Sequence, residues 1–132
     1  MAAERPIEYL DLEDLLDLAE RLLGPNPPVR DVGLLGSAAA RPQTTAFGAD
    51  AYPDIWTKAA ALLLSMVKNH ALVDGKKRLG WLATAVFLHL NGIDVSVASN
   101  DDVYDLVMAV AGGKHGVTEV AEKLAGLPHR DC

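Results

Sequence analysis

Apolar positions recur along this chain at helical spacing. Leu12, Leu15, Leu16, Ala19, Leu22 and Leu23 follow one another at intervals of three and four, which places them on one face of a helix. Asp11 stands where an N-cap belongs, and Gly24 with Pro25 supplies the stop. Residues 24–28, rich in proline, read as a stiff connector. Asp31 is expected to cap a short helix ending at Ala39 or Ala40, before Pro42. Pro53, at a first helical turn, is expected to open a long helix to about Asn69. Its middle, from Ala59 to Met66, is apolar on every side except at Ser65, the pattern of a helix surrounded by others. A second helix of the same character runs from Lys76 to Leu90, with Gly92 just past its end. Ile93, Val95 and Val97 alternate as in a short extended segment. Asn100 or Asp101 is expected to cap a helix to about Ala111, and Thr118 to open a last one to Leu124.

The fold these elements predict is all-α, a compact bundle of about six helices with a loop at 70–78 between the two central ones. A length of 132 residues, half of them hydrophobic, suits one domain over 1–132, with 1–6 and 126–132 as flexible ends. Only 5% is aromatic, so the core rests on Leu, Ala and Val. Residues 41–51 interrupt the helices. They read either as a plain surface loop or as a flap whose 44–47 stretch offers an open strand edge.

Charge narrows the function. The net charge is −6, and residues 1–20 carry that whole excess on what reads as a solvated helix face. An acidic chain lacks the basic footprint of direct nucleic-acid binding. The apolar runs at 59–64 and 81–88 are far below the ~20 residues that span a membrane. The first residues lack the apolar stretch of a secretory signal, and Cys132 has no second cysteine to pair with. A cytoplasmic protein is expected.

The stretch 70–78 carries the candidate chemistry. Asp74 is placed to cap the second central helix, but Lys76, Lys77 and Arg78 put three cations into its first turn. Like charge meets the positive end of the helix dipole there, at a cost of a few tenths of a kcal/mol or more each. A bound polyanion such as a nucleotide's phosphates would relieve it. Gly75 leaves backbone N–H groups open to phosphate oxygens. Asp74 can hold Mg²⁺ together with phosphates, and His70 can take a proton from a hydroxyl. An ordinary solvated connection between helices has the same composition. A zinc site would need a third ligand that no zincin spacing supplies here.

His70, Asp74, Gly75, Lys77 and Arg78 also resemble the signature of the Fic/Doc family. That signature reads histidine, any residue, phenylalanine, any residue, Asp/Asn/Glu, Gly/Ala, asparagine, Lys/Gly and arginine. The segments 9–16, 29–35, 40–42, 47–48, 58–63, 86–88 and 90–92 look like its Doc (death-on-curing) toxin branch. The resemblance implies an all-α domain whose members transfer a phosphate-containing group from a nucleotide to a protein hydroxyl. In the Doc branch it implies a kinase toxin using ATP and Mg²⁺ that acts on elongation factor Tu, stops translation and is blocked by a small cognate antitoxin. Fic relatives transfer AMP instead. By position, His70 matches the catalytic base and Asp74 the metal ligand. Gly75 matches the small residue of the anion nest, and Lys77 and Arg78 the phosphate contacts. Residues 41–47 correspond to the flap that docks the target.

Two positions depart from the signature. Leu72 replaces the phenylalanine that anchors the loop, where another large apolar residue serves. Lys76 replaces the asparagine; an ammonium donates hydrogen bonds but accepts none, and its long stem reaches toward the phosphates or Asp74. Either Lys76 marks a weakened or binding-only descendant, or it is an inactivating change selected by the toxicity of an active enzyme. The otherwise intact motif favours the second. No internal inhibitory helix is expected. Thr118 and Glu122 have its spacing, but Lys123 follows, so the pair reads as an N-cap and a surface acid. His89, His115, His129, Trp56 and Trp81 take structural readings.

Overall fold

A computed structural model describes residues 6–132, so the expected flexible start at 1–6 lies almost wholly outside the described residues. The helices are α1 (Leu12–Leu23), α2 (Val32–Ala40), α3 (Ile55–Lys68), α4 (Lys76–Leu90), α5 (Asn100–Gly112) and α6 (Val117–Ala125). A 3-10 turn over Arg41–Gln43 follows α2. Two small two-stranded antiparallel sheets complete the fold: the hairpin of β1 (Thr45–Ala46) with β2 (Ala49–Asp50), and β3 (Ile93–Asp94) with β4 (Arg130–Asp131), which returns after α5 and α6. The bundle is predominantly helical, as the apolar periodicity predicts. No described helix is long and apolar enough to cross a membrane.

Side-chain caps set most helix starts. Asp11 accepts from the Asp14 amide at 2.8 Å and Asp14 accepts from the Asp11 amide at 3.0 Å, a reciprocal box that opens α1. Asp31 caps α2 through the Leu34 amide. Four expectations need correction. α3 is capped by Asp54, with Pro53 just outside it, because Asp54 exchanges hydrogen bonds with Thr57. α5 is capped by Ser99, whose hydroxyl takes the Asp102 amide, so neither Asn100 nor Asp101 is the cap. α6 starts after Gly116, so Thr118 lies inside the helix. Of the alternating stretch, only Ile93 and Asp94 are strand, because β4 offers a two-residue partner.

α3 is the axis of the bundle. Residues 58–64, Met66 and Val67 are all buried, packed by α4, α6, α2 and α5. The approach of α4 is close because Gly80 has no side chain. A Cβ there would lie 3.1 Å from the Met66 Cβ and 3.2 Å from a Val67 methyl. Leu15, Leu35, Leu62, Leu79, Phe87, Leu88, Val110 and Leu124 close the core. Each fully buried side chain of this size contributes about 1.5–3 kcal/mol.

The end of the chain is tied back by β4. Arg130 donates to Asp94 at 2.9 Å. The Asp94 carboxyl is held at about 2, below the ordinary 3.8, first by hydrogen bonds from the side chain and backbone of Ser96 and then by Arg130. A carboxyl lowered by folding stabilises above its unfolded pKa and loses that contribution as pH falls through the folded value. The NMR titration of Asp94 is therefore expected to have its midpoint near 2, with the 93–94 and 130–131 pairing intact above about pH 4. A midpoint at the ordinary 3.8 would show that Ser96 and Arg130 do not hold it.

Candidate functional site

The loop between α3 and α4 is splinted rather than loose. Asn69 ends α3; its side-chain oxygen accepts the Ala71 amide at 3.1 Å and its amide nitrogen donates to the Leu34 carbonyl at 3.1 Å. The Ala71 carbonyl accepts from the Arg30 and Asp31 amides, and the Val73 amide donates to the Pro28 carbonyl at 2.8 Å. Val29 and Leu72 form a single antiparallel bridge. The proline-rich connector thus serves as a fixed rail along which the loop is laid. Leu72 is 3% exposed and plugs into the core, as expected of a large apolar residue at the anchor position.

What the loop presents to solvent is chemical. His70 and Asp74 are exposed, Gly75 and Lys76 half-buried, and Lys77 and Arg78 exposed. The expected cap by Asp74 is not formed. Its carboxylate accepts from the Gly75 amide at 2.8 Å, one residue short of the helix, and Gly75 itself is the N-cap, with φ 83° and no side-chain cap. The first-turn N–H groups of α4 consequently keep no side-chain acceptor. Among the described residues, none of Lys76, Lys77 and Arg78 pairs with a carboxylate, Asp74 included. An uncapped helix start bearing three unneutralised cations is an arrangement suited to a multiply charged anion.

Gly75 holds this arrangement open. Its left-handed backbone disfavours any residue with a Cβ, and that atom would also lie 2.8 and 2.9 Å from the Leu23 methyls. Leu23 can swing aside; the backbone cannot. Gly75→Ala is expected to cost about 1–2 kcal/mol, seen as a lower midpoint of thermal unfolding. An unchanged midpoint would mean that the turn does not depend on its positive φ.

Beside the cations lies a cavity of about 520 Å³ between α4 and α5, walled by Lys77, Arg78, Trp81, Val103, Tyr104 and Met108. Trp81 both packs on the core and forms part of this wall. Among the described residues no three His, Cys, Asp or Glu side chains gather as a metal site. Asp74 alone fits a hard cation whose remaining ligands are phosphate oxygens and water.

Comparison with known proteins gives the family. The model of the family described as Fic/DOC matches residues 9–88, the whole stretch from α1 through the loop into α4. The chain belongs to the Fic/DOC family. A protein named Toxin Doc from Mycolicibacterium smegmatis (strain ATCC 700084 / mc(2)155) is 48% identical over 121 residues, 91% of this chain and 93% of that protein. The Doc branch is therefore where this Fic/DOC chain stands.

In this Fic/DOC chain the stretch at 41–51 is a 3-10 turn followed by a short hairpin, extended backbone instead of an irregular loop. β1 and β2 pair as Thr45 with Asp50 and Ala46 with Ala49, and the turn holds Phe47 at φ 54° and Gly48 at φ 80°. Phe47 is wholly exposed at the tip. The hairpin is rooted by a residue the sequence alone did not single out. Lys58 is 2% exposed, and its ammonium lies 3.3 Å from Asp50, 3.4 Å from the Pro42 carbonyl and 5.6 Å from the Tyr9 ring centre. A lysine within an apolar helical run was the available signal.

His89 is exposed in the last turn of α4, and His129 packs edge-on against Trp56. His115, just before α6, bonds Glu119 at 2.9 Å and lines a cavity with Arg41, Lys68 and Asn69. Asn69 and Arg41, like Lys58, went unmarked because their partners are distant in sequence.

Proposed function

We propose that this chain is a Doc-type toxin of a toxin–antitoxin pair, acting in the cytoplasm. It transfers the γ-phosphate of ATP to a hydroxyl of elongation factor Tu, arrests translation and is held in check by a small cognate antitoxin. The observation that carries the reading is the start of α4, open at Gly75 and ringed by unpaired Lys76, Lys77 and Arg78. That the Mycolicibacterium smegmatis relative is named Toxin Doc supports the biological class.

His70, exposed at the loop's entrance, takes the proton of the acceptor hydroxyl. The freed oxygen attacks the γ-phosphorus; the bond from that phosphorus to the bridging oxygen breaks, and the electron pair leaves with ADP. Lys77, Arg78 and the backbone N–H groups after Gly75 hold the phosphates and stabilise their growing charge. Asp74 would hold Mg²⁺, which supplies further charge neutralisation when bound with the nucleotide. The cavity flanked by Trp81 and Tyr104 has the size and character for the nucleoside. Lys76 lowers the rate by placing a second ammonium where the motif has an amide.

ATP labelled separately at the γ- and α-phosphates and incubated with elongation factor Tu tests the reading. γ-Label is expected to enter the target protein. Entry of α-label would mean AMP transfer. Nucleotide binding with neither label transferred, in the Lys76→Asn form as well, would mean a binding-only descendant.

A further inference from the structure

Arg41 separates two cavities on the side of α3 that carries the flap. One, of about 420 Å³, is walled by Arg41, Ser65, Lys68, Asn69 and, just before α6, His115. The other, of about 340 Å³, shares Arg41, Ser65 and Asn69 and reaches Thr44 at the foot of the flap. Arg41 is half-buried, and its guanidinium is fixed entirely by neutral groups. Nε donates to the Tyr52 hydroxyl at 3.1 Å, Nη1 donates to the Ser65 hydroxyl at 2.9 Å, and the Tyr52 ring centre lies 5.7 Å away. Three of its five donors remain. Lys68 uses one of its three, on the Gly113 carbonyl.

The chain has 18 acidic residues and 12 basic ones, yet among the described residues no carboxylate reaches Arg41 or Lys68. Glu119, the partner of the His115 that lines the larger cavity, is committed elsewhere. It bonds His115, and its carboxyl is held below the usual range first by that bond and then by the Gly116 amide. A cation held partly out of water with only neutral partners is costly unless an anion completes the site. A guanidinium already fixed in position binds a carboxylate with little further ordering.

The flap indicates which anion. Thr44 donates both its amide and its hydroxyl to the Arg41 carbonyl, at 3.0 and 2.7 Å, so β1 begins one residue after a turn closed on Arg41. A polypeptide adding as a strand to this hairpin would lie on an element rooted at that turn. Asn69, which shares the cavity wall, also anchors the loop that carries His70. We infer that the Arg41 cavity receives an acidic side chain of the protein docked on the flap and sets its register relative to His70. This rests on the reading of the flap as a docking edge for a protein substrate.

The test uses the full chain and N-acetyl-glutamate N-methylamide, with the glutamine analogue as control, followed by NMR at the Arg41 Nε–H and the His115 ring. The glutamate compound is expected to give a saturable shift and the glutamine compound none. Arg41→Gln should abolish the shift and Lys68→Gln weaken binding by about tenfold or more. Circular dichroism checks both folds, and Lys68→Gln carries the test if Arg41→Gln does not fold. Equal binding of the two compounds, insensitivity to the variants, or tighter displacement by inorganic phosphate would overturn the assignment. The titration needs neither ATP nor His70, so its failure and a failure of phosphate transfer are separate results.

Discussion

Lys76→Asn is expected to raise the rate of transfer from ATP by about a hundredfold or more, since one well-placed contact to the transition state is worth roughly 2.7–4 kcal/mol. Lys76 is the first residue of α4, half-buried, directly after the Gly75 cap. An asparagine there both donates to phosphate and accepts from a neighbouring N–H, which an ammonium cannot do. The same substitution removes a cation from the positive end of a helix dipole. Stability should therefore rise by a few tenths of a kcal/mol or more. The two effects are read separately, by labelled-phosphate transfer and by thermal unfolding. Equal transfer by the two forms would show that Lys76 is not what limits the chemistry.

His70→Ala, made in the Lys76→Asn background, is expected to reduce transfer by about a hundredfold to ten-thousandfold, the usual range for a general base. The fold should not suffer. His70 is exposed, α3 ends on Asn69 one residue earlier, and the loop is held by the Ala71 and Val73 backbone bonds to 28–31. Nucleotide affinity should also persist, since the proposed phosphate contacts begin at Gly75. A loss of binding equal to the loss of rate would make His70 a binding residue instead of a base.

The fold was legible wherever the signal is local. Asp11 and Asp31 each stand directly before an apolar run, and each caps its helix. The limits of α4 follow from its apolar residues and Gly92. Reading failed where several residues compete for one role. In 99–102 a serine, an asparagine and two aspartates are all competent caps, and the extended backbone at Ser99 decides among them. Spacing points to Asp74 as a cap, whereas its bond to the Gly75 amide goes with a left-handed glycine, a conformation that spacing does not reveal. The residues proposed for the site lie within nine positions, so one loop and the helix start after it carry them all. Arg41 with Ser65, Lys58 with Asp50 and Asn69 with Leu34 were not legible, since each pair is brought together only by packing around α3.

Titration of the Lys76→Asn form with Mg-ATP, followed at the backbone amides of 75–78, tests most directly whether the start of α4 is built for phosphates. The largest shifts are expected at those amides, saturating with nucleotide and weakened by salt. Shifts confined to other parts of the bundle, or none at all, would contradict it.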